Sequence, residues 1–429
     1  MKKVLALMLA MVLVLSLAAC GQNNSNSSES AQLNVSSQSE SENQTSQTTT
    51  SQIMTSNSYD TTSQNETTVL ATPSTSYSPS EGFEYESKGD GTCKLTGVGE
   101  FNDDTLVIPS VNSSGDKVVE IDEYALYKCK SKTLVISGMT LKTDTSAFSY
   151  SNFESVIIDA SELTLGDSAL ENCDDISSIT VINSKLTCGE YAFYKVGSDT
   201  DISFDNSTIS LDKSTFSYGD IKKLKINSCN ITAEESAFEN NDNLEAIEIN
   251  NSNISFDEYG FYKSGNNTSI TINNCEGEFK KSCFSYSGIS NINITNCKNL
   301  EFGDSAFENG DKINNIVIGD GKYSFGEYAF YKCEKLEKVS IGGNSSENDI
   351  LLDDSSFSYC KKLTSVTIGN GKIEIGDSCF DNCKALSKVI ISDNAKIEVG
   401  EYAFYGCADG LVINYAGKQY NADSIEDSF

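Results

Sequence analysis

Apolar and polar positions between residues 82 and 415 follow one spacing that recurs along the whole stretch. Leu336-x-x-Val339-x-Ile341, Leu363-x-x-Val366-x-Ile368 and Ile289-x-x-Ile292-x-Ile294 are three instances of the same string. Its last two apolar residues alternate with a polar or small one, as Val339 and Ile341 do around Ser340. A short strand there buries two side chains and shows the third. Each string follows an anchor, and a second alternating pair precedes most anchors, as in Ile373-Glu374-Ile375 before Phe380. The anchors are Leu126, Phe148, Leu170, Phe193, Phe216, Phe238, Phe261, Phe284, Phe307, Phe330, Phe357, Phe380 and Phe404. Their intervals are mostly 22 or 23 residues, with one of 27 where Gly342 to Asn348 is inserted. Two short strands and a tight turn per repeat, with no room for a full helix, predict a solenoid. The expected fold class is a β-rich solenoid of thirteen coils of about 23 residues, with a parallel sheet on one face and short strands and 3-10 turns on the other.

A longer period overlies this one. Anchors 126, 193, 261, 330 and 404 sit in a tyrosine-rich frame such as Tyr-Ala-Phe-Tyr; anchors 148, 216, 284 and 357 sit in Phe-Ser-Tyr; the rest are followed by Glu-Asn or Asp-Asn. The duplicated unit is therefore three coils, and at about 4.8 Å per strand any repeated subsite recurs roughly every 14 Å. The stretch Gly326 to Ile341, GEYAFYKCEKLEKVSI, closely resembles the BspA-like leucine-rich repeats of bacterial surface proteins. Residues Gly89 to Ile121 resemble that family's N-terminal cap, and the resemblance spans about residues 82–415. It implies a surface protein that attaches to host matrix proteins or to other bacteria. One departure is that Pro follows the strand isoleucine only at Pro109, so partner choice does not carry over from relatives rich in that proline.

The N-terminus supplies an address. Lys2 and Lys3 precede an apolar run from Val4 to Leu15, too short to span a bilayer and typical of a secretory signal. Leu17-Ala18-Ala19-Cys20 resembles the bacterial lipobox, which implies cleavage after residue 19 and acylation of Cys20. Between Gly21 and Ser80, 42 of 60 residues are Ser, Thr, Asn or Gln. Such a segment has too little apolar surface to offset the entropy of ordering it, and residues 20–81 are expected to be a disordered tether. Its random-coil span is roughly 40–45 Å, and its extended reach about 200 Å. That suits a Gram-positive envelope, where a lipid-anchored protein facing outward must clear the wall. The expected organisation is a signal at 1–19, the tether at 20–81, the solenoid at 82–415 with its cap at 82–121, and a C-terminal tail at 416–429.

Composition narrows the chemistry. The chain has no His, Arg or Trp, and a net charge of −31 that becomes −33 without Lys2 and Lys3. The commonest proton carrier and metal ligand is missing, as is the bidentate phosphate binder. Nucleic acid and anionic lipid are excluded as partners by charge; no cofactor and no metal are expected. A carboxylate-only glycoside hydrolase would need a close acid pair, and the acids expected to be exposed on the sheet, such as Asp159, Asp205 and Glu248, lie on separate coils.

In a solenoid one repeat position becomes a row. Three residues after the anchor stand Cys129, Cys173, Cys333, Cys360, Cys383 and Cys407, elsewhere mostly Ser, Gly or Asn. This is read as a size-limited slot of buried thiols, with inter-coil disulfides as the alternative; a line cannot make a tetrahedral zinc site. Acids three or four residues before the anchor, such as Asp304 and Asp377, are read as caps of a short helical turn, with a calcium ladder as the alternative. Tyrosines such as Tyr191 with Tyr194 are read as edge packing, and exposure of Tyr194, Tyr262 and Tyr331 would instead favour a sugar platform. The row between the buried strand residues, from Val135 to Val412, is expected to face solvent, and its members Thr271, Asn293, Val317, Ser340, Thr367 and Ile390 are the candidate ligand-binding residues. The function expected is adhesin-type binding of an extracellular protein or another cell, not catalysis. The alternative is a polysaccharide-binding or cell-envelope structural lipoprotein.

Overall fold

Each repeat carries two alternating segments, so each coil has two strands, and stacking coils pairs every strand with its counterpart about one repeat away. The computed structural model describes residues 70–426 and 428. The expectations for the signal, for Cys20 and for the tether up to residue 69 lie outside the described residues.

Two 15-stranded sheets form. The front sheet holds the leucine-string strands from Thr105–Val107 to Val412–Tyr415. The back sheet holds the strands that precede the anchors, from Thr92–Gly97 to Ala395–Val399. Fourteen strands of each sheet run parallel, and each sheet adds one antiparallel strand, at opposite ends of the stack. There are thus fourteen turns, one more than the anchors, because the cap 82–121 supplies the first. Register is constant coil to coil: Ser340 pairs with Thr367 and Thr367 with Ile390. The strands expected on the second face join into a sheet as long as the first. Among the described residues the turns are non-helical, and the one helix is Ala422–Glu426.

Back and front strands are joined by a broad turn around the anchor. Alternate residues there donate to the next coil: Ser168 N–H to the Glu190 carbonyl, Leu170 N–H to Ala192 and Asn172 N–H to Tyr194, at 2.7–2.9 Å. The residues between them close the turn on themselves, as Glu171 N–H does to the Ser168 carbonyl. Only a backbone that takes positive φ two residues before and two after the anchor meets both demands, and those positions run at φ near +55° throughout, for example Ser168, Asn172, Tyr191 and Lys195.

The anchors point inward and are fully buried. From Phe193 to Phe404 ten phenylalanine rings stack in one column, with centroids 4.7–5.4 Å apart and planes within 15°. That offset-parallel contact adds to the area each ring buries. A second column, Phe256, Phe279, Phe302 and Phe325, rises from the back strands.

Both ends of the stack are covered. At the start, the strand Glu84–Ser87 folds back on Thr92–Gly97, and buried Glu120 pairs with Lys88 and, at 3.2 Å, Lys142. At the end, residues 416–426, expected as a tail, form the strand Lys418–Tyr420 and the helix, with Ile425 buried. Glu426 accepts the amides of Tyr402 and Phe404 at 3.2 and 3.4 Å, whose counterparts in the preceding coil, Ser378 and Phe380, reach the next coil's carbonyls. Residues 74–80, placed with the tether by composition, lie against the first front strands. Ser80 N–H reaches the Val107 carbonyl, and Ser74 donates both N–H and Oγ–H to Asp159.

Phe330 sits in mid-column, so Phe330→Ala should lower stability by about 3–5 kcal/mol and loosen the flanking coils, read as a lower denaturation midpoint and faster hydrogen exchange from Phe307 to Phe357. Burial raises the pKa of Glu120, but Lys88 and Lys142 outweigh it and hold the carboxyl at about 2. A depressed carboxyl stabilises the fold above its unfolded pKa of about 4.3, and this is lost as pH falls towards 2. Acid titration should therefore show wild-type stability falling between about pH 4 and pH 2. Glu120→Gln should be less stable at neutral pH and flatter in that window; an unchanged acid limb would refute the role.

Candidate binding surfaces

Four rows run along the solenoid. On the front sheet the candidate residues form a single line, each opposite the next: Thr271 to Asn293, Asn293 to Val317, Val317 to Ser340, then Thr367 and Ile390. Asn293, Thr367 and Ile390 are exposed and the other three half-buried between buried neighbours, as alternation requires. Two residues expected at the surface near the N-terminal end, one of the row and one acid of the sheet, are not there. Val135 is fully buried and Asp159 is 1% exposed. The cause is the segment around Ser74, which bonds Asp159 and lays Pro73 against Gly138. The open front face therefore begins near Ile157, and Asp159 is not a surface acid.

The slot after the anchor has a chemical logic beyond size. Cys360 Sγ–H points at the Phe330 carbonyl (3.3 Å), and Cys383 at Phe357 (3.2 Å), each one coil back. Where the slot is not Cys, Ser151, Asn241 and Ser264 give the same bond to Leu126, Phe216 and Phe238. The row is a ladder in eight of the thirteen coils, where its residue donates to the anchor carbonyl one coil back. All thirteen described cysteines are free thiols. A second ladder lines the narrow corner in the middle coils, where Ser184, Ser207, Cys229, Ser252 and Cys275 donate to the carbonyl two residues earlier. Asparagines stand on the outer rim beside it, bonded side chain to side chain, as Asn274 to Asn251. Burial pushes the Cys173 thiol up to about 12 and raises Cys360 as well.

The acids before the anchor accept backbone amides, as expected of caps, though the turn they serve is not helical. Asp304 takes the Glu327 N–H and Asp377 the Glu401 N–H, each one coil on.

On the broad-turn edge the tyrosines pack on one another, in line with edge packing, and form a recurring surface cluster. In every third coil three tyrosines cluster at the surface, for example Tyr191, Tyr194 and Tyr218, with centroids of 5.3 and 5.7 Å and near-perpendicular planes. The same arrangement recurs at Tyr124, Tyr127 and Tyr150, at Tyr259, Tyr262 and Tyr286, and at Tyr328, Tyr331 and Tyr359; Tyr402 and Tyr405 form a partial copy. The middle ring of each full cluster lies under a lysine, with Nζ 4.7–5.2 Å from its centroid, and is half-buried in all but the first, where Tyr127 is exposed. Tyr194, Tyr262 and Tyr331 are these middle rings, so exposure falls on their neighbours: Tyr218 and Tyr286 are 53% and 54% exposed. Between clusters lies a carboxylate–amide pair, such as Glu171 with Asn172 (3.0 Å) and Glu239 with Asn240 (2.9 Å).

Nine of these tyrosines occupy the left-handed positions of the turn. A non-glycine residue there costs about 1–2 kcal/mol, and asparagine least. Asn172, Asn240, Asn309 and Asn382 hold the later of these positions in the coils between. Those asparagines, recurring two residues after an anchor, were the available signal for the left-handed turn.

The sequence profile of the BspA type leucine rich repeat region matches residues 108–198, 187–311 and 277–409, in six copies. The chain belongs to this family. A BspA-type repeat of this length also has likenesses among solved structures. One is a leucine rich cell surface protein from Faecalibacterium prausnitzii, at 17% identity over 83% of this chain and 97% of that one, with a TM-score of 0.32. Another is a leucine-rich repeat protein from Bacteroides ovatus, at 18% over 78% and 98%, TM-score 0.32. A third is the pneumococcal vaccine antigen PcpA, at 14% over 80% and 88%, TM-score 0.24. No curated protein matches the chain. Among the described residues of this BspA-type chain no helix is long and apolar enough to cross a membrane, and no group of three or more potential ligands is placed to hold a metal ion.

The thiol ladder gives a direct check. Thiolate-selective reagent at pH 8 should modify almost none of the thirteen cysteines in the native protein and nearly all after unfolding without reductant. Cys383→Ser, which keeps the donor, should be milder than Cys383→Ala, which loses a hydrogen bond to Phe357 of about 1 kcal/mol. Equal losses would remove the donor role.

Proposed function

We propose that this chain is a surface-displayed, non-enzymatic binding protein, tethered through acylated Cys20 and engaging an extracellular protein or another cell through the front sheet. The observation that carries the reading is the unbroken outward line from Thr271 to Ile390, held in constant register by buried neighbours. A flat row of this length is the extended surface that repeat proteins use for partners. Its side chains are small or β-branched and carry little charge, so contact there removes few charges from water. Family membership and the cell-surface description of the F. prausnitzii relative support display outside the cell. The absence of His and Arg, and the spread of acids over separate coils, support binding over chemistry.

Replacing Ser340, Thr367 and Ile390 together with Lys should leave the melting temperature nearly unchanged, because all three lie outside the core. Binding of the triple variant to immobilised extracellular-matrix proteins or to whole cells should fall at least tenfold. Wild-type binding by that variant would remove the front sheet from the function, and unchanged membrane retention of Cys20→Ala would remove the lipid anchor.

A further inference from the structure

The tyrosine clusters combine four properties that packing alone does not call for. They are exposed, and they sit on strained backbone where the coils between use asparagine at the later turn position. Exposure and strain belong to the outer rings, most of them exposed, such as Tyr150, Tyr218 and Tyr286; the tyrosines recur in every copy of the three-coil unit, while the front row in the same coils drifts from Val135 through Ser203 and Thr271 to Ser340. Among the described residues, none of the cluster hydroxyls has a hydrogen-bond partner within the protein. Strain that a cheaper residue would relieve, kept copy after copy, points from an outlier to a use.

We propose that the broad-turn edge is a binding track for an uncharged polysaccharide chain lying along the solenoid axis. A sugar ring offers a C–H face and a rim of hydroxyls. An exposed tyrosine offers the complement, a flat apolar ring with a free O–H at its edge. The outer rings, such as Tyr218 and Tyr286, supply stacking faces. The carboxylate–amide pairs between clusters, such as Glu171 with Asn172, supply acceptors and donors for hydroxyls. Beside Tyr218 an open cleft of about 520 Å³, lined also by Asp174, Asp220 and Asn240, gives one subsite a polar wall. A protein partner is disfavoured because its anchor side chains need desolvated pockets, and this edge presents open rings between polar pairs. Charge disfavours an acidic polymer: the net charge is −31. Four full clusters and a fifth partial one, roughly 14 Å apart along one line, suit a ligand that itself repeats, and a chain touching two of them gains from effective concentration. This track is separate from the front sheet, so either reading stands if the other fails.

The test is native affinity electrophoresis of the full chain in gels containing a soluble uncharged β-glucan, a mannan or a galactan, with polygalacturonate as the charged control. Retardation is expected in at least one uncharged gel and not in the control. The variant Tyr150→Asn/Tyr218→Asn/Tyr286→Asn installs the residue already used at Asn172 and Asn240. It should lose at least tenfold in affinity while its melting temperature stays level or rises. Ser340, Thr367 and Ile390 replaced by Lys should leave retardation intact. Binding should also strengthen with oligosaccharide length until a chain spans two clusters. The proposal is overturned by mobility unchanged in all three uncharged gels, by wild-type retardation of the asparagine variant, or by a fall of many degrees in its melting temperature, which would make the tyrosines structural. A protein or proline-rich peptide captured at the tyrosines in place of any polysaccharide also overturns it.

Discussion

The anchor amide of each coil donates to the carbonyl of the residue before the next anchor, as Phe216 N–H does to Ala237 and Phe284 N–H to Ala306. Strands pair coil to coil in many folds; here the corner between them pairs as well, and this fixes the repeat. Because the carbonyl-bearing residue lies directly beneath the next turn, it must be small, and Ala, Gly, Ser, Thr or Cys fills it in every coil. Because alternate residues donate outward while the others close the turn, two positions per coil take positive φ. Because the anchors are then stacked one coil apart, flat rings at about 5 Å fill the space without steps. The thiol and hydroxyl ladder follows from the same bond: the anchor carbonyl, turned back towards its own turn, takes a second donor from the coil ahead.

A ladder of this kind is satisfied everywhere except at its ends, where unpaired strand edges invite other chains. The two ends are closed differently. At the start an antiparallel strand covers the first back strand, and lysines surround the buried Glu120 carboxylate. At the other end the amides of Tyr402 and Phe404 meet the carboxylate of Glu426 in place of a coil's carbonyls. One acid at the end of a five-residue helix thus continues the ladder by one step with side-chain oxygens. The buried Ile425 keeps that helix against the last coil.

Much of this was legible in the residues. The anchors, the strand pairs, the size limit after the anchor and the outward line from Thr271 to Ile390 all follow from spacing, because a coil repeats its environment and so repeats its residue types. Three things were less legible, each for a physical reason. The contact of Ser74 with Asp159 joins residues 85 positions apart with no repeat relation, and no local pattern announces it. The tail reads as polar chain because its cap depends on one isoleucine and one glutamate. The tyrosines read as edge packing and do pack on one another, but the outward set among them was not legible, because a residue type that recurs with the anchor looks like part of the core. What separates them from it is backbone conformation, visible only indirectly in the asparagines of the coils between.

That distinction also bears on where function is written. A solenoid's core rows are nearly uniform because every coil faces the same neighbours; within the longer period only the serines, buried at Ser149, Ser217, Ser285 and Ser358 and donating to the next coil, have a source in packing. The column from Phe193 to Phe404 shows no three-coil period, nor do the alternating strand residues. The broad-turn edge does: Tyr with Lys, then Ser with Tyr, then an acid with Asn, in order and four times over. Duplication explains how that period arose but not its survival at strained, exposed sites, since exposed positions elsewhere in the same copies have diverged. The two surfaces therefore differ in kind. The front sheet offers a continuous, weakly patterned plane set by strand geometry, whereas the edge offers a periodic one held against its own backbone preference.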